Sequence, residues 1–409
     1  MDINENPPLR KIIQERRLSS FTISPMIGVA LKMLMGDTGK YIGMIVGITF
    51  AALIMTQQPA ILVGLLSRTY AVITDASYPD LWVMDPKVQA VDDIKPLQDT
   101  KLLRVRGIEG IRYAVPFYKG LLRARMPDGN FQNSNIIGLD DATLIGGPGG
   151  MIAGKLEDLR RADAVIIDEN GANKYFARKL SDGTRIPLKL GDTLEINDTR
   201  AVIVGIARTT PTFGSQPLFF TTYTRALAFA PQERLKLSFI LAGLKPGVDP
   251  APVIASIKKY TGLTAYTRDQ FKDVSLQYTI DNSGIVVSFA IVVLLGFIVG
   301  AAISGQVFYN FTQDNIKQFA ALKAMGTSDM MLVKMIMTQA ALVGVSGWGI
   351  GVGLASILGF SLGPNSDFPF AMPWQILALS GGGVLLIVTF AALISIRKVI
   401  KLEPGVVFK

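Results

Sequence analysis

The chain has no cysteine and no histidine. Without cysteine there are no disulfides, no thiolate nucleophile and no zinc–cysteine site. Without histidine the commonest general base and the commonest transition-metal ligand are gone, and a Ser-His-Asp triad is impossible. Carboxylate, lysine or tyrosine chemistry remains open. Charge is also scarce: 18% of the 409 residues are Asp, Glu, Lys or Arg, against about 25% in ordinary soluble chains. In its place, 49% of residues are apolar and the mean hydropathy is +0.37. That balance excludes a disordered chain and points to a membrane protein with a substantial soluble part.

Apolar runs long enough to cross a bilayer cover 41–66, 284–307, 332–362 and 374–396. The first is expected to continue as a helix through Pro59 into a stalk over 61–66. Before it, residues 1–40 form a polar segment rather than a cleavable leader. Within that segment, the apolar stretch 21–35, opened by Ser24-Pro25 and closed by Gly36, reads as an amphipathic helix on the membrane surface. Basic residues set the orientation. Arg10, Lys11, Arg16, Arg17, Lys32 and Lys40 precede the first span, Lys317, Lys323 and Lys334 follow the second, and Arg397, Lys398, Lys401 and Lys409 close the chain. The turn between the third and fourth spans holds only Asp367. Both termini are therefore expected in the cytoplasm, with 308–331 a cytoplasmic loop, 397–409 a cytoplasmic tail and 67–283 outside. Tyr41, Phe308 and Tyr309 are expected at the inner interface, and Phe368, Phe370 and Trp374 at the outer one.

The formal charge of +9 divides into +4 outside and +5 in the remainder. With no aromatic-interleaved basic stripe, nucleic acid is not an expected partner. The fold class expected is an α-helical four-span bundle with a large extracytoplasmic α+β domain between the first and second spans. In that domain, strands are expected at 81–84, 114–118, 121–126, 135–139, 164–167, 193–196, 201–206, 237–241 and 263–267. A turn is expected at Pro127-Asp128-Gly129. Helices are expected over 169–180 and from Pro250 to Tyr260, the latter capped by Asp249 and stopped by Gly262. The stretch 168–210 reads as a small subdomain of its own.

The segment 149–156 (GGMIAGKL) matches G-x-x-x-x-G-K, but Leu156 stands where Ser or Thr must hold magnesium. A glycine loop over 146–150 is the better reading. The acidic pairs Asp92-Asp93, Asp140-Asp141, Glu157-Asp158 and Asp168-Glu169 read as loop and helix-end residues, because neighbours on one strand point to opposite faces. Charges between 284 and 396 lie only in loops and span ends, which disfavours an ion-coupled transporter. Small residues at Gly43/Gly47, Gly296/Gly300 with Ser304, and Gly347/Gly351 are spaced for close helix approach. In the loop 314–331 (DNIKQFAALKAMGTSDMM), Ile316, Phe319, Ala320 and Lys323 recur at helical spacing and Gly326 ends the helix. This short helix is the segment best placed to dock on a cytoplasmic partner, with a lipid-lying helix as the other reading.

The layout and the loop together resemble the MacB/FtsX-type ABC permease family. Its loop after the second span reads R-E-I-G-x-x-R-A-x-G-A-S, and 317–328 here reads KQFAALKAMGTS. The family's R-L-D-P ending is matched by KLEP at 401–404, and LWVMDP at 81–86 with MTQQ at 55–58 resembles the DevC-like branch. Gln318 and Gln339 replace glutamates usual in the family. The resemblance implies a non-catalytic permease with no cofactor of its own, ATP and magnesium lying on a separate ABC ATPase. That ATPase would bind the coupling helix through Asn315, Ile316, Lys317, Gln318, Phe319, Leu322, Lys323, Ala324, Met325 and Gly326. It further implies a homodimer in the bacterial inner membrane, in contact with membrane lipids, a periplasmic membrane-fusion adaptor and a TolC-like outer-membrane channel. Such an assembly would export an amphiphilic or lipid-like substrate. Alternatives are a lipoprotein-releasing permease, an FtsX-like regulator of an external hydrolase and, from another class, a membrane-anchored enzyme.

Overall fold

The structure, a computed structural model, describes residues 25–126, 129, 131–179, 183–231, 237–361 and 368–401. Arg10, Lys11, Arg16, Arg17, Ser24, Pro127, Asp128, Asp367, Lys409 and the 402–404 part of the terminal motif lie outside the described residues. The chain divides into two compact units: 1–60 with 288–359 and 372–409, and 61–287 with 360–371.

The first unit is helical. Helix α1 spans Pro25–Gly36 and α2 spans Thr38–Arg68. Three more long helices are α8 (Ile285–Asp314), α10 (Asp329–Ser361) and α11 (Trp374–Ile400), and the short α9 (Ile316–Ala324) lies between α8 and α10. Among the described residues, α2, α8, α10 and α11 are long and apolar enough to cross a membrane. Helix α2 runs through Pro59 without a break. Proline costs an intrahelical hydrogen bond, and neighbouring helices in a bundle make that tolerable.

The bundle core joins Met44, Ile48 and Ala52 of α2, Phe308 and Phe311 of α8, Met335, Ile336 and Val343 of α10, and Val384, Val388 and Ala392 of α11. Helix α1 belongs to this core through Ala30 and Leu34, and Gln339 Nε2 donates to the Ala30 carbonyl at 2.8 Å. Phe308 is buried, edge-on to Phe311. Helix α8 leaves Val287, Ile291, Leu294, Leu295 and Ile298 exposed, an apolar surface that lipid tails solvate as well as a protein core does.

The second unit is an α+β fold. In chain order it holds α3 (Ala71–Asp75), β1 (Leu81–Met84), α4 (Asp99–Arg106), β2 (Ile111–Arg125), β3 (Phe131–Leu139), β4 (Gly150–Ala153) and β5 (Ala164–Asp168). These are followed by β6 (Arg178–Lys179), β7 (Arg185–Ile186), β8 (Thr193–Ile196), β9 (Thr199–Arg208), β10 (Leu218–Thr222), α5 (Tyr223–Phe229), β11 (Phe239–Leu244), α6 (Pro250–Thr261), β12 (Thr264–Thr267) and α7 (Arg268–Ser283). The main sheet has the order β12-β1-β11-β2-β3-β10-β5-β9-β4, with β8 pairing both β2 and β9. It is mixed: β3–β10 and β5–β9 are parallel. Trp82 anchors the core, its ring 5.3 Å from Phe117, 5.7 Å from Phe239 and 5.6 Å from Phe271.

Three sequence expectations are corrected here. The strands expected at 114–118 and 121–126 are one 15-residue strand, β2. Lys119-Gly120 does not interrupt it, because the Tyr118 ring folds over Gly120 where a side chain would stand. The helix expected over 169–180 is shorter: residues 169–170 are α-helical, Gly171–Tyr175 form a π-helical turn, and β6 follows. Finally, 168–210 is no separate subdomain, since β8 and β9 are strands of the main sheet. By contrast, Asp249 caps α6 by accepting from Ala251 N–H at 3.1 Å, and Gly262 ends it at φ 71°.

Candidate functional site

The described loop between α8 and α10 builds α9 from both ends. Asn315 is buried and donates through Nδ2 to the Phe311 carbonyl at 2.8 Å, folding the chain back at the end of α8. Gly326 takes φ +92° after α9, a conformation that suits glycine. Thr327 N–H then returns to the Leu322 carbonyl at 3.1 Å.

The apolar periodicity gives α9 its inner face. Phe319 and Ala320 are buried in the bundle core, and Ile316 and Leu322 pack against it. Lys323 donates to the Ile400 carbonyl of α11 at 2.9 Å and pairs with Asp329 at 2.9 Å. The stripe Ile316, Phe319, Ala320 and Lys323 therefore meets the protein's own helices. The outward residues are Lys317, Gln318, Ala324, Met325 and Gly326. Met325 is 75% exposed, and Met330, at the start of α10, is 65% exposed. Met330 is absent from the residues singled out in the sequence, although the doublet Met330-Met331 behind the turn signals it. Two flexible, polarizable thioethers beside a lysine and an amide suit adaptable protein contact. Near this loop, Lys40 pairs with Asp37 at 2.7 Å and with Asp314, tying the start of α2 to the end of α8.

All six glycines singled out in the spans lie on α2, α8 and α10. A Cβ on Gly296 would strike Ile54, one on Gly300 would strike Ala51, and one on Gly47 would meet Ile303 with Ser304 close by. One on Gly347 would strike Ile48, and one on Gly351 would strike Ala52 and the Thr49 carbonyl. Gly43 is looser, 3.8 Å from Val307. Helix α2 thus lies against α8 and α10 at backbone range, which small residues permit.

In the α+β unit the acidic pairs hold backbone. Asp140 accepts from Thr143 N–H and Oγ1–H, Asp141 from Thr224, and Asp158 from Lys155 N–H. Asp168 is nearly fully buried; its two oxygens accept from Leu218 N–H at 2.7 Å and Gly171 N–H at 3.1 Å. Burial outweighs these bonds and pushes its carboxyl up to about 6. Asp92 partners Lys119, whose side chain is 3% exposed on β2, and Asp92 and Asp93 line a cleft of about 470 Å³ with Thr69, Phe213 and Tyr278. Residues 146–149 are turn and loop, with Pro148 in an isolated bridge to Ala76, and residues 150–153 form the edge strand β4, paired with β9.

The profile described as MacB-like periplasmic core domain matches residues 41–260, and the profile described as FtsX-like permease C-terminal matches residues 287–404. Among solved structures, the periplasmic region of MacB from Actinobacillus actinomycetemcomitans is 13% identical with a TM-score of 0.36, covering 52% of this chain and 96% of that one. The extracellular domain of the noncanonic ABC-type transporter YknZ from Gram-positive bacteria is 12% identical with a TM-score of 0.31, covering 45% of this chain and 89% of that one. No curated protein matches the chain.

Proposed function

The chain belongs to the FtsX-like permeases that carry a MacB-like periplasmic core domain, and from that premise we propose that it is the membrane subunit of an ATP-binding cassette exporter. In this reading a separate ATPase holds ATP and magnesium and docks on α9. Two copies of the chain pair, both termini face the cytoplasm, and the α+β unit lies in the periplasm of a bacterium with an inner membrane. ATP-driven closure of the ATPase is passed to the α+β unit, which drives an amphiphilic or lipid-like substrate into an adaptor and a TolC-like outer-membrane duct. The DevC-like branch is the finer assignment, supported by LWVMDP at 81–86 and MTQQ at 55–58.

The observation that carries the reading is the two-faced build of α9. Phe319, Ala320 and Lys323 fix it to the bundle, while Lys317, Gln318, Met325 and Met330 face outward. A helix held this way can pass a push from its outer face to α11 without first reorganising. The test is co-purification of the full chain with its genomic-neighbour ATPase. Met325→Asp is expected to abolish binding while leaving the thermal unfolding of the chain unchanged, since Met325 touches solvent. Retention of full binding by Met325→Asp and by Met330→Asp would count against docking on this face.

A further inference from the structure

One end of the main sheet gathers charges of both signs. There β10 stops and β5 and β9 begin, because β10 runs antiparallel to β5 and β5 parallel to β9. A cleft of about 520 Å³ opens at that end, wholly within the α+β unit. The loop after β3 brings Asp141 to it, a 3-10 turn at Leu156–Arg160 brings Arg160, and Asp163 stands just before β5. Thr222 closes β10, and Thr224 and Arg225 follow in α5.

The two arginines are held by backbone and keep donors in reserve. Arg225 Nη1 donates to the Leu159 and Ala164 carbonyls, each at 3.2 Å, and Arg160 Nη2 donates to the Ala142 carbonyl at 2.7 Å. A guanidinium carries five N–H donors, so most of each fork is unused. Arginine and carboxylate close into a two-bond pair where they are free to meet. Here neither arginine pairs with a carboxylate among the described residues. Asp141 accepts from Thr224 Oγ1–H at 2.9 Å. Asp163, at φ 54°, has no partner for its carboxylate among the described residues. Thr222 is 7% exposed, and its hydroxyl neither caps α5 nor meets another described group. Spare guanidinium donors, a hydroxyl and a carboxylate thus share one cleft without satisfying one another.

We propose that this cleft binds a zwitterion, its anionic group on Arg160, Arg225 and Thr222 and its ammonium group on Asp163. The two arginines and two aspartates carry no net charge together. A ligand of one sign would therefore shield the other sign from water without pairing it, which costs free energy. The ethanolamine phosphate headgroup of a lipid and a free amino acid share the required chemistry. The site rests on the α+β unit alone and goes beyond the permease reading, since it needs no ATPase.

The test is saturation-transfer NMR on the full chain in nanodiscs of phosphatidylglycerol, a lipid without an ammonium group. The probes are phosphoethanolamine and β-alanine, with methyl phosphate and ethanolamine as the singly charged halves. At least one zwitterion is expected to bind about tenfold more tightly than either half, the scale of one hydrogen bond to a charged group. Phosphoethanolamine ahead of β-alanine points to a lipid headgroup and the reverse to a free amino acid; both orders support the site. Asp163→Asn keeps a residue that tolerates the left-handed backbone. It should weaken the zwitterion by about tenfold and leave methyl phosphate unchanged. Arg160→Gln, at an exposed position, should weaken the zwitterion and methyl phosphate alike. Arg225 is left intact because it holds two carbonyls of the fold. No binding of either zwitterion, zwitterions no tighter than their halves, or an Asp163→Asn chain that binds them as wild type does would overturn the proposal.

Discussion

The helical unit and the α+β unit solve the problem of close packing in opposite ways. In the bundle the tightest approaches are made by absent side chains: Gly300 against Ala51, Gly351 against Ala52, Gly347 against Ile48. The α+β unit has close glycine approaches too, such as Gly154 against the Val204 carbonyl, but its core is centred on large side chains, with Trp82, Phe117, Phe239 and Phe271 ringed together. The solvents explain the difference. Water rewards burying aromatic surface, by about 25 cal/mol per Å². Lipid gives no such reward between helices, so dispersion at short range has to hold them together. The α+β unit also buries ionisable groups, Lys119 and Asp168, each with partners. The described bundle buries amides and hydroxyls instead, such as Gln339, Ser380 and Ser395.

The sharpest break of this contrast is Trp82→Ala. Removing a fully buried aromatic from the ring cluster is expected to cost about 3–5 kcal/mol, read as a lowered unfolding midpoint of the α+β unit in the full chain. The helical unit should keep its far-ultraviolet helix signal at that midpoint. Loss of both signals together would show that the two units unfold as one.

Asp168 gives the next largest effect, and its sign is unusual for an aspartate. Its carboxyl sits at about 6 in the folded chain, above the ordinary 3.8, because burial disfavours the charge. The folded state therefore binds the extra proton more tightly than the unfolded state does. This contribution is fully present below pH about 4 and is lost as the pH rises to about 6. Across that window the stability is expected to change by on the order of 3 kcal/mol. Asp168→Asn, which keeps the shape and one acceptor, should flatten the stability profile between those limits; an unchanged slope would refute the assignment.

Asp168 also shows why part of the fold was illegible in the sequence. A helix over 169–180 follows from local pattern. The helical stretch opens as that pattern says, the carboxylate accepting from Gly171 N–H in the manner of an N-cap, but it ends at Tyr175, and the carboxylate's second partner is Leu218 N–H, fifty positions away. No local pattern reports the second. Where the determinants are local, the pattern suffices, as at Asp249-Pro250 and Gly262 around α6. The candidate site divides the same way. Periodicity over Ile316, Phe319, Ala320 and Lys323 identifies a helix with one apolar face. It does not say whether that face meets the protein's own bundle or a partner, and Ile400, which receives Lys323, lies 77 positions away. Likewise the spacing of Gly296 and Gly300 marks a smooth face, while Ile54 and Ala51 as its neighbours come only from the packed bundle.

Smaller effects sharpen the contrast. Gly300→Val should destabilise the bundle by about 1–3 kcal/mol, the usual cost of overpacking, because its methyl groups must displace the backbone of α2 at Ala51. The measurement is detergent-titrated unfolding of the full chain. Gly353→Val, at a span glycine with nothing within 4 Å of its Cβ position, should be near neutral and is the control. If the two cost the same, close approach is not what holds these helices together.

The smallest effect belongs to the α+β unit and needs no packing argument. Asp249→Ala removes the side-chain acceptor of Ala251 N–H at the start of α6 and is expected to cost about 1 kcal/mol. Asp249→Asn should recover most of it, because an amide oxygen accepts the same bond and the loss of charge matters only through the helix dipole, by about 0.3–1 kcal/mol. Helix α6 buries Val253 and Ile257 beside Leu263 and Ala265, around β12. The lost cap should therefore appear as faster amide exchange in the first turn of α6, with β12 unchanged. Exchange that quickens through β12 as well would mean that α6 and the sheet edge open together, and that even a cap read from four consecutive residues is a tertiary interaction.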